Sequence, residues 1–68
     1  MTKLRKIREE KGLKQKDLAQ ILGIKTPAIC IMERKGIFDI RTANKYAKAL
    51  NISPFFLLEN CMYDPFSI

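Results

Sequence analysis

The segment from residue 15 to residue 33 constrains the fold more than any other, because it predicts two short helices joined by a glycine turn. Its apolar residues are spaced so that one face of each helix turns inward: Leu18, Ala19, Leu22, Ile29 and Met32. Gly23 lies where the first helix must end, since glycine adopts the left-handed conformation without steric cost. Thr26 is a candidate N-cap residue of the second helix, with Pro27 in its first turn. The two predicted helices and the glycine turn between them form a helix-turn-helix, a motif whose second helix can enter a DNA major groove.

The rest of the chain predicts three more helices around this pair. We expect helices over residues 2–11, 15–22, 26–34, 40–50 and 54–59, with short connections and no strand signal. Asp39 is placed to cap the fourth helix, and the apolar spacing of that helix predicts one buried face, formed by Ile40, Ala43, Ala47 and Leu50. The sequence therefore predicts an all-α, compact five-helix bundle at residues 1–60 and an apolar C-terminal tail at 61–68.

The positive charge is confined to one part of the chain. The chain has 68 residues and a net charge of +6, and all 13 lysines and arginines precede residue 51. The first fifty residues carry five acidic residues and so have a net charge of +8, whereas the remainder carries −2. A polyanion is the simplest partner for such a basic segment. The alternative is that the surplus of lysine only keeps a small protein soluble.

Several functional classes are disfavoured by what the sequence lacks. It has no histidine, and its two cysteines, Cys30 and Cys61, do not have the spacing of a metal site, so we expect neither a metal nor another cofactor. Reduced thiols are the favoured state of the two cysteines, and a disulfide between them is the alternative. No catalytic set is visible, so we expect no enzyme. Without an apolar run of 18 residues or a signal-peptide core, we expect a cytoplasmic protein.

Over residues 4–58, the chain resembles the Cro/CI-type helix-turn-helix repressors, the XRE family. The residues that carry the resemblance are Leu13, Gln15, Leu18, Ala19, Leu22, Gly23, Ile24, Ile29, Glu33, the run from Ala47 to Leu50, Ile52 and Ser53. The length is similar to that of small phage Cro proteins. The resemblance implies a lambda repressor-like domain that represses transcription from an operator in a bacterial or phage-infected cell. It also implies a two-fold dimer on a pseudo-palindromic site, with half-sites about 34 Å apart.

The resemblance also implies roles for individual residues. Gln15 would touch a backbone phosphate, although an ordinary exposed glutamine is the alternative. Arg8 and Glu33 match a partly buried ion pair that joins the first helix to the third. Arg41 would approach a narrow minor groove, although a solvated arginine is the alternative. The basic residues around the reading helix are candidates for phosphate contacts: Lys14, Lys25, Arg34 and Lys35.

The reading helix departs from the usual pattern of such repressors. We expect four residues to face base edges, with Cys30 near the rim: Thr26, Pro27, Ala28 and Ile31. Similar repressors often place glutamine, arginine, asparagine or serine there, whereas here only Thr26 can hydrogen-bond a base. Ala28 and Ile31 can pack against thymine methyl groups. The hypothesis is a site with A·T-rich half-sites, read by methyl contact and by DNA shape.

The C-terminal end is rich in apolar residues, which often marks an interface. We predict a homodimer contact through the fifth helix and the tail, formed by Phe55, Phe56, Met62, Tyr63 and Phe66. The alternative is that the tail folds back and completes the core of the monomer. No small-molecule ligand or membrane partner is predicted.

A second functional class stays open, namely a protein-interaction module on the same scaffold. Such a module could be an antitoxin, an antirepressor or an inhibitor of a DNA-bound complex. Ile31, Ile37 and Phe38 favour it, because they place apolar groups beside the reading helix.

Overall fold

The computed structural model describes residues 1–60, which fold into four α-helices and one turn of 3₁₀ helix. The α-helices are α1 (Lys3–Glu10), α2 (Gln15–Leu22), α3 (Thr26–Lys35) and α4 (Ile40–Leu50), and the 3₁₀ turn spans Pro54–Phe56. The all-α prediction is confirmed for the described residues, and the count of five α-helices is wrong. The predicted tail, residues 61–68, lies outside the described residues, together with Cys61, Met62, Tyr63 and Phe66.

Local signals at the helix ends account for most of these bounds. Gly23 ends α2 in the left-handed conformation at φ 71°, as predicted. The Asp39 carboxylate accepts a hydrogen bond from Thr42 N at 2.9 Å and so caps α4, also as predicted. The prediction that Thr26 caps α3 is wrong. Lys25 is the extended cap residue and Thr26 is already helical, because Pro27 fits within the first turn, where N–H groups have no partner in the helix.

One apolar cluster holds the helices together. Its buried members are Leu4, Ile7, Leu18, Ala19, Ile29, Ile37, Ala43, Tyr46, Ala47, Leu50 and Leu57. The predicted inward faces of α2 and α3 are confirmed, with Leu22 and Met32 partly buried at the edge. Ile40 was expected in the core but is 45 % exposed. It shares the face of Ala47 but lies in the first turn of α4, and its side chain is partly uncovered at that end of the helix.

The predicted fifth helix ends after one turn because the chain beyond it pairs with a distant segment. Leu58 forms an isolated parallel bridge with Ile37, and Glu59 N donates a hydrogen bond to Ile37 O at 2.8 Å. The Glu59 carboxylate also accepts from Lys3 N at 2.6 Å, at the start of α1. Leu58 lies in the bridge and residues 59–60 form a turn, so a helix through residue 59 is incompatible with these contacts.

Gly36 makes this close approach possible. Its φ of 88° lies in the left-handed region, and a Cβ added there would lie 2.8 Å from Glu59 Cγ. Only glycine meets both demands without strain. Within residues 1–60, none of the helices combines the length and apolar character needed to cross a membrane.

Candidate nucleic-acid interface

Helix α3 presents one side to solvent and buries the opposite side. With about 100° of rotation per residue, Ile31 lies at the centre of the outward side, and Ile29 and Glu33 lie opposite it. Ile29 is 0 % and Glu33 5 % exposed, whereas Ile31 is 55 % exposed. We define the exposed face of α3 as the outward residues that surround and include Ile31: Pro27, Ala28, Ile31, Arg34 and Lys35.

The exposed face of α3 is apolar at its centre and basic at its C-terminal end. Pro27, Ala28 and Ile31 carry no side-chain hydrogen-bonding group, whereas Arg34 and Lys35 carry two positive charges. Thr26, the first helical residue, is also exposed and brings a hydroxyl to the N-terminal end. Cys30 is half-buried beside this face. The structure thus leaves all four residues predicted to face base edges accessible to solvent.

Helix α3 is held in place by the turn and by packing against α2. Ile24 N donates to Ala19 O at 3.0 Å, which closes the turn after Gly23. Ile29 then anchors α3 in the same core as Leu18 and Ala19. These contacts fix the orientation of the exposed face of α3 relative to α2.

A buried charged cluster joins α1, α2 and α3 behind this face. Arg8 Nε donates to Glu33 Oε2, and Arg8 Nη2 donates to Glu33 Oε1 at 3.3 Å. The guanidinium also donates to Leu13 O at 2.6 Å. Arg8 and Glu33 are 8 % and 5 % exposed. The ion pair that the resemblance implied is therefore present and fully hydrogen-bonded, which is the condition for a buried pair to be stable.

Gln15, the first residue of α2, belongs to the same cluster. Its Nε2 donates to Glu33 Oε1 at 3.0 Å, and the residue is only half-buried. Because an amide nitrogen carries two hydrogens, one remains available toward solvent. Glu33 thus fixes the side chain of Gln15 at the N-terminus of α2, where an anion is favoured. Sequence reasoning missed this hydrogen bond because nothing in the local pattern links the two positions.

The five basic residues predicted to contact DNA are all exposed: Lys14, Lys25, Arg34, Lys35 and Arg41. Among residues 1–60, ion pairs involve Arg5 and Arg8 but none of these five. Unpaired cations are available to phosphate groups at no cost of breaking an internal pair. Other exposed basic residues, such as Lys16, Lys45 and Lys48, were not assigned to the interface.

Their positions follow from the helix ends. Lys14 and Lys25 are the cap residues of α2 and α3, and Arg34 and Lys35 form the last turn of α3. Arg41 is the second residue of α4, directly after the capped start of that helix. The basic groups therefore lie at both ends of α3 and at the starts of the neighbouring helices.

The predicted apolar surface near the C-terminus is present in part. Phe55 is 55 % exposed, whereas Phe56 is half-buried against the core. Of the residues predicted to form the homodimer contact, Phe55 is therefore accessible to solvent. Phe38 and Ile21 are also exposed, at 57 % and 56 %. Sequence reasoning did not single out Ile21. Its place in α2, directly before the inward-facing Leu22, could have indicated an outward-facing side chain.

No group of three or more potential metal-ligating side chains is found within residues 1–60. The acidic residues Glu9, Glu10 and Asp17 lie on the outside of α1 and at the start of α2, where Asp17 accepts a hydrogen bond from Lys14 N at 3.0 Å. That bond gives Asp17 a role in capping α2.

Comparison with known proteins identifies a family that covers most of the chain. A family model described as helix-turn-helix matches residues 4–57. The match extends from α1 through the 3₁₀ turn and includes every described residue of the candidate interface. No curated protein and no solved structure gives a significant match.

Proposed function

The chain belongs to the XRE, or Cro/CI-type, family of helix-turn-helix proteins, and from this premise we propose that it is an operator-binding repressor of transcription. The family supports a DNA-binding regulator. The observation that carries the proposal for this chain is the exposed face of α3, with unpaired basic residues at both ends. We propose no catalytic activity, and a cytoplasmic location follows from the proposed role.

In the proposed complex, α3 enters the major groove with Ile31 toward the bases. Thr26 hydrogen-bonds a base edge at the N-terminal end of α3, and Ala28 and Ile31 contact thymine methyl groups. Gln15 donates its remaining amide hydrogen to a phosphate. Lys14, Lys25, Arg34 and Lys35 bind further phosphates, which position the helix but do not read sequence.

Arg41 is proposed to approach the minor groove at the centre of the site. A-tract minor grooves are narrow and carry an enhanced negative potential that attracts arginine. The exposed, unpaired position of Arg41 at the start of α4 supports this assignment. It would add a preference for A·T-rich sequence at base pairs that α3 does not touch.

We further propose that the protein binds as a homodimer through the surface around Phe55 and the tail. The described domain measures 31 × 23 × 20 Å. On a two-fold site the α3 helices of the two copies would lie about 34 Å apart, which is one turn of DNA and close to the longest dimension of one domain. Sedimentation of the full chain and of Phe55→Ser tests this point, with a dimer expected for the first and a shift to monomer for the second.

Selection from random duplex DNA tests the function. The proposal predicts enrichment of a pseudo-palindromic site with A·T-rich half-sites and specific retention of that site at moderate salt. Weak binding to every fragment that moderate salt abolishes would contradict it. A G·C-rich consensus with strong guanine preference would contradict only the proposed mode of reading.

The second candidate is a protein-interaction module, and the exposure of Ile31 and Phe38 favours it, whereas Ile37, which was also expected to favour it, is buried in the core at 1 % exposure. Ile31 on the reading helix suits a protein partner as well as a thymine methyl group, and Phe38 lies in the connection that follows that helix. Absence of any enriched DNA sequence would favour this reading. A specific operator whose binding depends on Ile31 would exclude it for the exposed face of α3.

A further inference from the structure

The centre of the exposed face of α3 is apolar, which limits the chemical groups that it can recognise. Ile31 is 55 % exposed, and its helical neighbours Pro27 and Ala28 are exposed as well. None of the three has a side-chain donor or acceptor. Recognition at this point therefore depends on apolar contact and shape complementarity.

The major groove offers few apolar groups on base edges. Adenine, guanine and unmodified cytosine present no methyl group in the major groove, whereas thymine presents its C5 methyl group. Cytosine methylated at C5 places the same methyl group at the same ring position. Thymine and 5-methylcytosine still differ at C4, where one accepts and the other donates a hydrogen bond. Ile31 has no group that responds to that difference.

Resting on the proposed DNA-binding function, we propose that Ile31 recognises the C5 methyl group of a pyrimidine, so that binding responds to cytosine methylation as well as to thymine. The ligand class at this point of the interface is a 5-methylpyrimidine in duplex DNA. Within α3 this is a specificity-determining role for Ile31, separate from the phosphate contacts of the basic residues.

The neighbouring side chains support this assignment. Lys35 and Arg34 lie on the same face one turn toward the C-terminus, where their charges suit the phosphates at the groove edge. Thr26 lies at the other end of the helix, so its hydroxyl does not compete for the base below Ile31. The apolar centre is thus bordered by groups suited to the backbone and to a separate base.

The test uses the full chain and a site obtained by selection. At each position of a half-site, four duplexes are compared, carrying T·A, U·A, C·G or 5-methyl-C·G. Uracil keeps the pairing and the C4 oxygen of thymine but lacks its methyl group. At one or two positions, wild-type binding is expected to fall about fourfold from thymine to uracil and to rise about fourfold on methylation of cytosine, as for one buried methyl-sized group.

Two variants assign the effect to Ile31. In Ile31→Ala, both ratios should fall to about twofold or less at those positions, because the partner of the methyl group is truncated. Ile21→Ala is the matched control, since it truncates the same residue type at 56 % exposure on α2. It should keep both ratios. Thermal unfolding of each variant checks that these exposed substitutions leave the fold intact.

The outcomes separate this inference from the proposed function. A site bound specifically, with every wild-type ratio within about twofold, overturns the methyl reading and leaves the regulator in place. Ratios that survive in Ile31→Ala overturn the role of Ile31. Failure to select any site contradicts the proposed function itself.

Discussion

Gln15 and Glu33 are joined by a hydrogen bond of 3.0 Å between the Gln15 amide nitrogen and Glu33 Oε1. The same oxygen accepts a hydrogen bond from Arg8 at 3.3 Å. A carboxylate on α3 therefore holds both the buried guanidinium of α1 and the side chain at the start of α2. The orientation of α3 and the proposed phosphate contact of Gln15 depend on one buried group.

The first prediction concerns this buried group. Glu33→Gln should reduce the free energy of unfolding by about 3–5 kcal/mol, because Arg8 loses its buried counter-charge and the half-exposed Glu9 carboxylate, at 3.9 Å, is a weaker partner. Urea denaturation measures the loss. The control is Glu10→Gln, which removes an exposed carboxylate of the same helix as Arg8 and should cost about 0.5 kcal/mol or less. Equal losses in the two variants would show that the buried pair has no special role.

A second prediction concerns the phosphate contacts. Lys35→Ala should make the dependence of affinity on salt shallower, with the log–log slope falling by about 0.9 per protomer for one lost phosphate contact. Binding should weaken similarly on all sequences, since phosphates carry no sequence information. Lys48→Ala removes an exposed lysine of α4 outside the proposed interface and should leave the slope unchanged. An identical slope change in both variants would mean that the positive charge acts only as a diffuse field.

Arg41 gives a third prediction, which depends on DNA shape. Arg41→Ala should weaken binding at least about threefold more on operators with A·T-rich centres than on operators with G·C-rich centres. Fluorescence anisotropy on paired duplexes that differ only at the central base pairs measures this ratio. Lys48→Ala again serves as the control and should show no dependence on the centre. An equal loss on both duplexes for Arg41→Ala would reduce its role to a phosphate contact.

The cap of α4 gives a fourth prediction, which depends on pH. The hydrogen bonds from Thr42 lower the pKa of Asp39 below its ordinary value of 3.8. A lowered folded-state pKa stabilises the fold at pH values above the unfolded pKa, and this contribution is lost as the pH falls through the folded pKa. Asp39→Asn keeps a good cap residue but does not titrate. The stability difference between wild type and variant should therefore change between about pH 5 and pH 2 and be constant above that range.

Urea denaturation of both proteins across that range measures this effect. Glu10→Gln removes an exposed carboxylate of α1 for which no hydrogen bond is seen among residues 1–60, and it serves as the control. It measures how far stability changes when an exposed carboxylate that caps no helix is removed. A constant difference between wild type and Asp39→Asn at all pH values would contradict the role of the ionised cap.

The helix-turn-helix itself could be predicted from the sequence because its signals are local. Gly23 marks the turn, and the spacing of Leu18 and Ile29 marks the buried sides of α2 and α3. The exposed side of α3 follows from the same periodicity, since it lies opposite Ile29. These features depend on neighbouring residues and can therefore be predicted without knowledge of the tertiary fold.

The errors arise where distant parts of the chain decide the outcome. Ser53 and Pro54 have the residue types that favour the N-cap and the first position of a helix. The pairing of Leu58 with Ile37 nevertheless ends the helix after one turn. Ile40 has the spacing of a core residue, but whether its side chain is buried depends on which other elements pack against the first turn of α4. The hydrogen bond from Gln15 to Glu33 likewise spans two helices, and residue spacing alone does not contain it.

The most direct test of the central claim is whether the exposed face of α3 contacts DNA. Binding of the selected duplex is compared for wild type, Ile31→Asp and Ile21→Asp, two variants with the same residue change at 55 % and 56 % exposure. The account predicts a loss of about 100-fold or more for Ile31→Asp, because a carboxylate is forced against base edges and phosphates, and a change of about threefold or less for Ile21→Asp. Equal affinities for the two variants, with both folded, would contradict the claim.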